Sequence, residues 1–423
     1  MLINKLKQQL SGRLIRNIGW LGGAELLNRV FRLGTTVFIA RLLGPYDYGL
    51  IAIILTINDF LNVFSLRGGI GGKIIQADGI DVKVICNTAY WLNWIICGFL
   101  LIIQCLASFP IALFYGDNKL ILPICVLAVG YLIPPIFDVQ SALLQRENRL
   151  NVMALCNVTQ SILGNILTIG LAFLGMGIWA VVLPSILTAP VWIVIHYINH
   201  PWRPPKFFTL KEWQEIVNFG KNILGVELLD RLRANLDYLL IGHFLGVHAL
   251  GIYYFAFNAG LGISLSVMNV LLIPLFPHLS AARGNFKQLK KQYFSSIKII
   301  ALIFVPLVLL QSSLAPFYVP IVFGQKWVTA IPILVLICLS ALPRPFAGTA
   351  SQLLQTVDKT QISLYWNLIF TVIFAGFLLV AVKWGIFWVA ASVLICHALL
   401  LPIFTVLVIK YVFAPNSHFS LPR

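Results

Sequence analysis

Residues 25–52 read ELLNRVFRLGTTVFIARLLGPYDYGLIA, and residues 227–254 read ELLDRLRANLDYLLIGHFLGVHALGIYY. Laid over one another without a gap, they share Glu25/Glu227, Leu26/Leu228, Leu27/Leu229, Arg29/Arg231, Ile39/Ile241, Leu43/Leu245, Gly44/Gly246 and Gly49/Gly251, eight identities in 28 positions. A chance match in a leucine-rich background would favour leucine alone. This one also keeps an acid, a base and two glycines, and it marks an internal duplication. Later text echoes too: Leu143-Leu144-Gln145 returns as Leu353-Leu354-Gln355, and Gly177-Ile178 as Gly385-Ile386. Duplicated halves with charges set inside apolar runs are a pattern of secondary transporters.

Composition settles the class. Hydrophobic residues make up 59% of the chain, charged residues 10%, and the mean hydropathy is +0.91. Soluble domains carry about 25% charged residues. The apolar segments are continuous runs, which excludes the short alternating strands of a β-barrel. The net charge of +16 does not indicate nucleic acid, because the basic residues fall in short loops between apolar runs, where they set topology. The seven cysteines have no metal-ligand spacing and read as small packing residues, so no cofactor is expected. Lys5, Lys7, Arg13 and Arg16 precede no short apolar core with a cleavage site, and the N-terminus reads as a retained cytoplasmic segment.

Spans of about 20 apolar residues are predicted at 14–40, 49–66, 84–109, 119–140, 150–174, 176–199, 215–242, 247–272, 293–314, 328–346, 361–382 and 385–413. The predicted fold is an all-α membrane protein of twelve transmembrane helices in two pseudo-symmetric six-helix bundles enclosing a central cavity. Its parts are a cytoplasmic segment 1–13, an N-terminal bundle 14–199, a cytoplasmic linker 200–214, a C-terminal bundle 215–413 and a cytoplasmic tail 414–423. Lys211-Glu212-Trp213 is expected to open a short amphipathic surface helix. With both termini inside, twenty Lys and Arg fall on the cytoplasmic side and four (Arg41, Lys119, Lys326, Lys383) outside, the bias that fixes orientation. Six-span halves then enter the membrane from the same side and form parallel repeats.

The seventh predicted span carries Lys221, Glu227, Asp230, Arg231, Arg233 and Asp237. At about 3 kcal/mol per charge facing lipid, six would cost about 18 kcal/mol, so most must face water or each other. At about 100° per residue all but Lys221 share one broad face. The first span adds Glu25, Asn28, Arg29 and Arg32, and the second adds Asn58, Asp59 and Asn62. Local i,i+4 pairing of Glu25 with Arg29 and Glu227 with Arg231 is a purely structural reading. It leaves Arg32, Arg233 and Asp237 with weaker local partners. A water-filled, positively biased cavity accounts for all of them. Gly68-Gly69-Ile70-Gly71-Gly72-Lys73 fails as a phosphate loop, because Arg67 stands where the first glycine is required and Ile74 replaces Ser or Thr. Pro134, Pro135 and Pro343 are among the prolines read as kinks.

Ala40-Arg41-Leu42-Leu43-Gly44-Pro45-Tyr46-Asp47-Tyr48-Gly49-Leu50 resembles the turn after the first span in the polysaccharide transporter family, the Wzx-type oligosaccharide flippases of the multidrug/oligosaccharidyl-lipid/polysaccharide exporter superfamily. The resemblance implies flipping of an undecaprenyl-diphosphate-linked glycan, an O-antigen or exopolysaccharide repeat unit, from the cytoplasmic to the periplasmic leaflet by alternating access. Its partners would be the lipid-linked oligosaccharide, membrane lipids, a coupling H+ or Na+ and polysaccharide polymerase machinery, and not nucleic acid. Arg29, Arg32, Arg231 and Arg233 are the candidate diphosphate ligands, since guanidinium groups supply both charge and forked donors. Glu25, Asp59, Glu227 and Asp237 are the candidate coupling groups. An ion-coupled multidrug exporter of the same superfamily would have a more acidic cavity. A membrane polysaccharide polymerase or ligase would need a large periplasmic loop with catalytic Arg or His, and the longest outer loop expected here, about 315–327, is too short.

Overall fold

A computed structural model of the chain describes residues 31–32, 34–77 and 81–413. Every regular element among them is helical. Two compact units divide the chain, Met1–Asn235 and Leu236–Arg423.

The first unit begins its described part with a helix at residues 34–42 (α1). Gly44-Pro45 then turns the chain. Pro45 occupies the first turn of α2 (Pro45–Val63), where its missing N–H costs nothing, and Asp47 Oδ2 accepts from the Gly44 N–H at 3.4 Å. α3 (Arg67–Gln76) starts after Leu66, a non-glycine residue at φ +55°. α4 runs from Asp81 to Tyr115. α5 (Ile121–Val129) and α6 (Pro134–Arg146) belong to one bent run, broken by 50° at the 3-10 turn that Pro134 and Pro135 follow. α7 (Leu150–Phe173) is continuous, while α8 (Trp179–Leu187) and α9 (Pro190–Asn199) are interrupted ahead of Pro190. α10 (Trp213–Phe244) crosses the boundary between the two units.

α3 is a helix that propensity alone would not make. Four glycines in ten residues cost about 1 kcal/mol each relative to alanine. Tertiary approach explains them. A Cβ on Gly69 would land on the backbone of Gly220 in α10, and one on Gly72 would sit 2.9 Å from the Phe219 ring. Bare backbone lets α3 and α10 touch, as small residues do between membrane helices.

The segment before α10 departs from the expected surface helix. Residues 201–210 are non-helical, and the helix that starts at Trp213 is α10 itself. Pro201, Pro204 and Pro205 remove the N–H groups a helix would need. The bundle satisfies carbonyls in and at both ends of the strap instead: Thr88 Oγ1 donates to Lys211 O at 2.6 Å, Trp91 Nε1 to Phe207 O at 2.9 Å and Arg149 Nη1 to Asn199 O at 2.8 Å. Ile70, Ile74, Ile85, Val139 and Ile216 form a buried core, and Trp202 and Leu210 of the strap pack on it.

The second unit contains α11 (Gly246–Ala256), a π-helical turn at Phe257–Leu261, α12 (Gly262–Leu272), α13 (Leu275–Ser280), α14 (Phe286–Tyr318), α15 (Ile331–Leu339), α16 (Arg344–Thr356), α17 (Thr360–Ala381) and α18 (Ile386–Phe413). The duplication is visible in its element lengths. α5 and α15 have 9 residues each, and α6 and α16 have 13. The starts of α5 and α15, α6 and α16, and α7 and α17 are separated by a constant 210 residues. The left-handed residues ahead of α7 and α17 keep the same offset, Asn148 at φ 56° and Asp358 at φ 55°.

Among the described residues, eight helices are long and apolar enough to cross a membrane, or ten if each bent pair counts as one span. α10 is not among them, although it has 32 residues, because it carries Glu215, Lys221, Glu227, Asp230, Arg231, Arg233 and Asp237. Most of the first predicted span, with the candidates Glu25 and Arg29, lies outside the described residues.

Candidate functional site

The charged face of α10 meets α2 and α3 within the first unit. Glu227, Asp230, Arg231 and Ala234 recur at i, i+3, i+4 and i+7, so they form one stripe. Asp59, Asn62 and Val63 do the same on α2. With Ser65, Arg67 and Gly68 they enclose a cavity of about 470 Å³. Asp59, Glu227 and Arg231, three of the residues singled out by sequence, therefore line one space.

Its electrostatics are mixed. Three carboxylates (Asp59, Glu227, Asp230) and two guanidinium groups (Arg67, Arg231) face it. Arg231 Nη1 lies 3.4 Å from Asp59 Oδ2, and the two side chains are 52% and 48% exposed. A pair this exposed contributes at most about 1 kcal/mol, so a competing anion can draw Arg231 away at small cost. Arg67 is held more firmly. Its Nη2 donates to Asp138 Oδ1 at 2.7 Å, and Asn93 Nδ2 donates to the other carboxylate oxygen at 2.8 Å. Asp138 is only 10% exposed and has two donors to satisfy it. Across the turn, Asn58 faces away from the charged stripe and meets Gln104 Nε2 at 3.5 Å, while Tyr131 OH donates to Gln104 Oε1 at 2.8 Å.

The remaining sequence candidates occupy other places. Arg233 lies outside this lining and donates to Asp230 Oδ1 at 2.9 Å, an i,i+3 partner stronger than the sequence reading credited. Asp237 belongs to the second unit. It is 5% exposed, accepts from Tyr253 OH at 2.7 Å and from the Tyr238 N–H at 2.9 Å, and so is buried with its oxygens occupied. Arg32 borders a second cavity in the first unit, about 380 Å³, walled by a polar face of α7 and by Val181, Pro184 and Ser185 of α8. Glu25 and Arg29 are outside the described residues.

Arg67 was missed as a site residue. The sequence placed it in a loop beside a failed phosphate motif. The usable signal was the glycine spacing itself: Gly68, Gly69 and Gly72 recur at i, i+1 and i+4, which puts a close-packing face on a helix that begins at Arg67.

Comparison with known proteins agrees with this architecture. A family model described as "Polysaccharide biosynthesis protein" matches residues 38–332. The chain is 26% identical over 339 residues to the teichuronic acid biosynthesis protein TuaB of Bacillus subtilis, covering 78% of this chain and 70% of that one. It is 25% identical over 349 residues to the lipopolysaccharide biosynthesis protein WzxC of Escherichia coli, covering 79% and 68%. The fold is similar to a structure of the lipid II flippase MurJ in an inward closed conformation, with a TM-score of 0.75 at 14% identity over 92% of this chain and 87% of that chain.

Proposed function

The chain belongs to the polysaccharide biosynthesis protein family, and on that premise we propose that it flips an undecaprenyl-diphosphate-linked oligosaccharide across the bacterial cytoplasmic membrane by alternating access. The observation that carries this reading is the placement of two guanidinium groups, Arg67 and Arg231, beside the acids Asp59, Glu227 and Asp230 in one cavity of a multi-pass membrane protein. A diphosphate needs two or more charge-assisted donors, and guanidinium forks supply them. The sugars ride with the headgroup through polar space, while the polyprenyl tail stays in the bilayer.

Exchange of partners gives a route to coupling. Asp59 pairs with Arg231 across the cavity. When phosphate takes Arg231, Asp59 and the nearby Glu227 lose countercharge and favour an H+ or Na+. The ion and the anionic headgroup then bind with positive linkage, each raising the other's affinity. Asp237, buried with Tyr253, is a further candidate for the ion. In the full reading, twelve spans form two six-helix bundles, residues 14–199 and 215–413, joined by a cytoplasmic linker at 200–214. Polysaccharide polymerase machinery would receive the flipped product.

Two outcomes are expected. Cells lacking the protein should accumulate lipid-linked glycan that stays inaccessible to periplasmic enzymes, and the intact chain should restore its processing. Unchanged glycan processing together with increased sensitivity to cationic drugs would instead favour a drug exporter. For topology, reporters at residues 1, 285 and 423 should all read cytoplasm. A periplasmic signal at 423 with a cytoplasmic one at 1 would overturn the even number of spans.

A further inference from the structure

The cavity beside Arg32 is chemically unlike the charged one. We propose that it is a hydrogen-bonding subsite for the neutral sugar hydroxyls of the glycan headgroup; this rests on the flippase reading and adds to it where the sugars are recognised. On α7, Asn157, Gln160, Ser161, Asn165 and Thr168 recur at i, i+3, i+4, i+8 and i+11 and share one face toward the cavity. Such groups are costly inside a span unless they meet partners or water.

Part of the stripe is braced. Thr35 Oγ1 donates to Asn165 Oδ1 at 2.8 Å, Asn165 Nδ2 donates to Ser161 O at 2.7 Å, and Trp192 Nε1 donates to Gln160 Oε1 at 2.6 Å. Capacity remains beyond these bonds. Among the described residues, the Gln160 amide NH2 meets no acceptor, and the Asn157 and Thr168 side chains make no hydrogen bond. A wall of fixed amides with spare donors and acceptors matches hydroxyl groups, which both give and take hydrogen bonds. A diphosphate would call for clustered bases and a lipophilic cation for acids. The volume of about 380 Å³ lies within the usual range of small-ligand sites, about 300–1,000 Å³.

The duplication provides an internal control. At the 210-residue offset, α17 keeps polar residues at Asn367 and Thr371, where α7 has Asn157 and Ser161, but places Phe370, Phe374, Ala375 and Leu378 where α7 has Gln160, Gly164, Asn165 and Thr168. Phe370 and Phe374 are buried and stack at 5.7 Å, with the His397 ring 5.3 and 5.6 Å away. At the Gln160 and Gly164 positions the second copy is thus packed with apolar rings. The architecture does not require amides at Gln160 and Asn165, which marks these two as the positions that set the first copy apart.

The test uses the purified full chain and two probes, undecaprenyl diphosphate and the undecaprenyl-diphosphate-linked glycan extracted from cells that lack this protein. The unaltered chain should bind the glycan-bearing lipid more tightly. Asn157→Leu, which breaks no internal hydrogen bond, should weaken binding of that lipid by about 3–10-fold and change undecaprenyl diphosphate binding by less than about twofold. Gln160→Met should do the same, with some loss of thermal stability because Trp192 Nε1 is left without its acceptor. Equal loss for both probes, or no loss for either, overturns the subsite. If the unaltered chain binds both probes equally, the subsite fails and the flippase reading stands. If it binds neither, both fail.

Discussion

Replacing Arg231 with alanine is expected to reduce glycan export by about 10–100-fold while leaving the protein inserted and folded. The estimate converts the loss of one charge-assisted contact to phosphate, about 1.5–3 kcal/mol, at about 1.4 kcal/mol per tenfold. Folding should be spared because Arg231 and Asp59 are both about half exposed and their 3.4 Å pair contributes little. Arg231→Lys keeps the charge and loses the fork, so intermediate export is expected. The measurement is periplasmic glycan per unit of membrane-inserted protein. Normal export by Arg231→Ala would remove this cavity from the mechanism. Arg67→Ala is a less clean test, since it strips a base from the nearly buried Asp138 and would confound export with stability.

A second large effect is expected at the helix contact beside the cavity. Gly69→Ala should lower the melting temperature and the amount of folded protein, because its Cβ would strike the Gly220 backbone, which has no side chain to swing aside. Overpacking of this kind costs about 1–3 kcal/mol or more. Gly220→Ala should be tolerated. Its Cβ would meet Leu66 and Gly69 at 3.5–3.8 Å, ordinary contact distances, and alanine recovers about 1 kcal/mol of helix propensity. Thermal unfolding of the two variants in detergent distinguishes them. Equal stability would mean that the close α3–α10 approach does not hold in the membrane.

The sequence made the helical membrane class, the duplication and one stripe of the site legible, each for a physical reason. Glu227 and Arg231 stood out because charge inside an apolar run is expensive, and helical spacing put them on one broad face with Asp230, Arg233 and Asp237, of which the cavity lining keeps Asp230 alone beside them. Asp59 and Asn62 followed from the same rule. Arg67 escaped because it lies at the end of an apolar run, where charge is cheap and carries no signal. α3 escaped because four glycines hide a helix from propensity; only the partner backbone at Gly220 explains it. The expected positive bias did not take account of where side chains aim. Arg233 turns to Asp230, Arg32 borders the amide-lined cavity, and the charged cavity is left with three acids and two bases. Pro134 and Pro135 were readable as a kink, and the 50° bend lies just before them. The strap at 201–210 was not readable, because its order comes from Thr88, Trp91 and Arg149 elsewhere in the chain.

The contact between Gly69 and Gly220 also bears on the hydrocarbon. Two helices that meet backbone to backbone leave no gap for a methylene chain, so the α3–α10 seam is closed to lipid along that turn. Gly68, one residue earlier, lines the charged cavity. On the flippase reading proposed above, a polyprenyl tail whose headgroup sat there would leave through a different wall, with the seam as the lipid-tight side of the compartment.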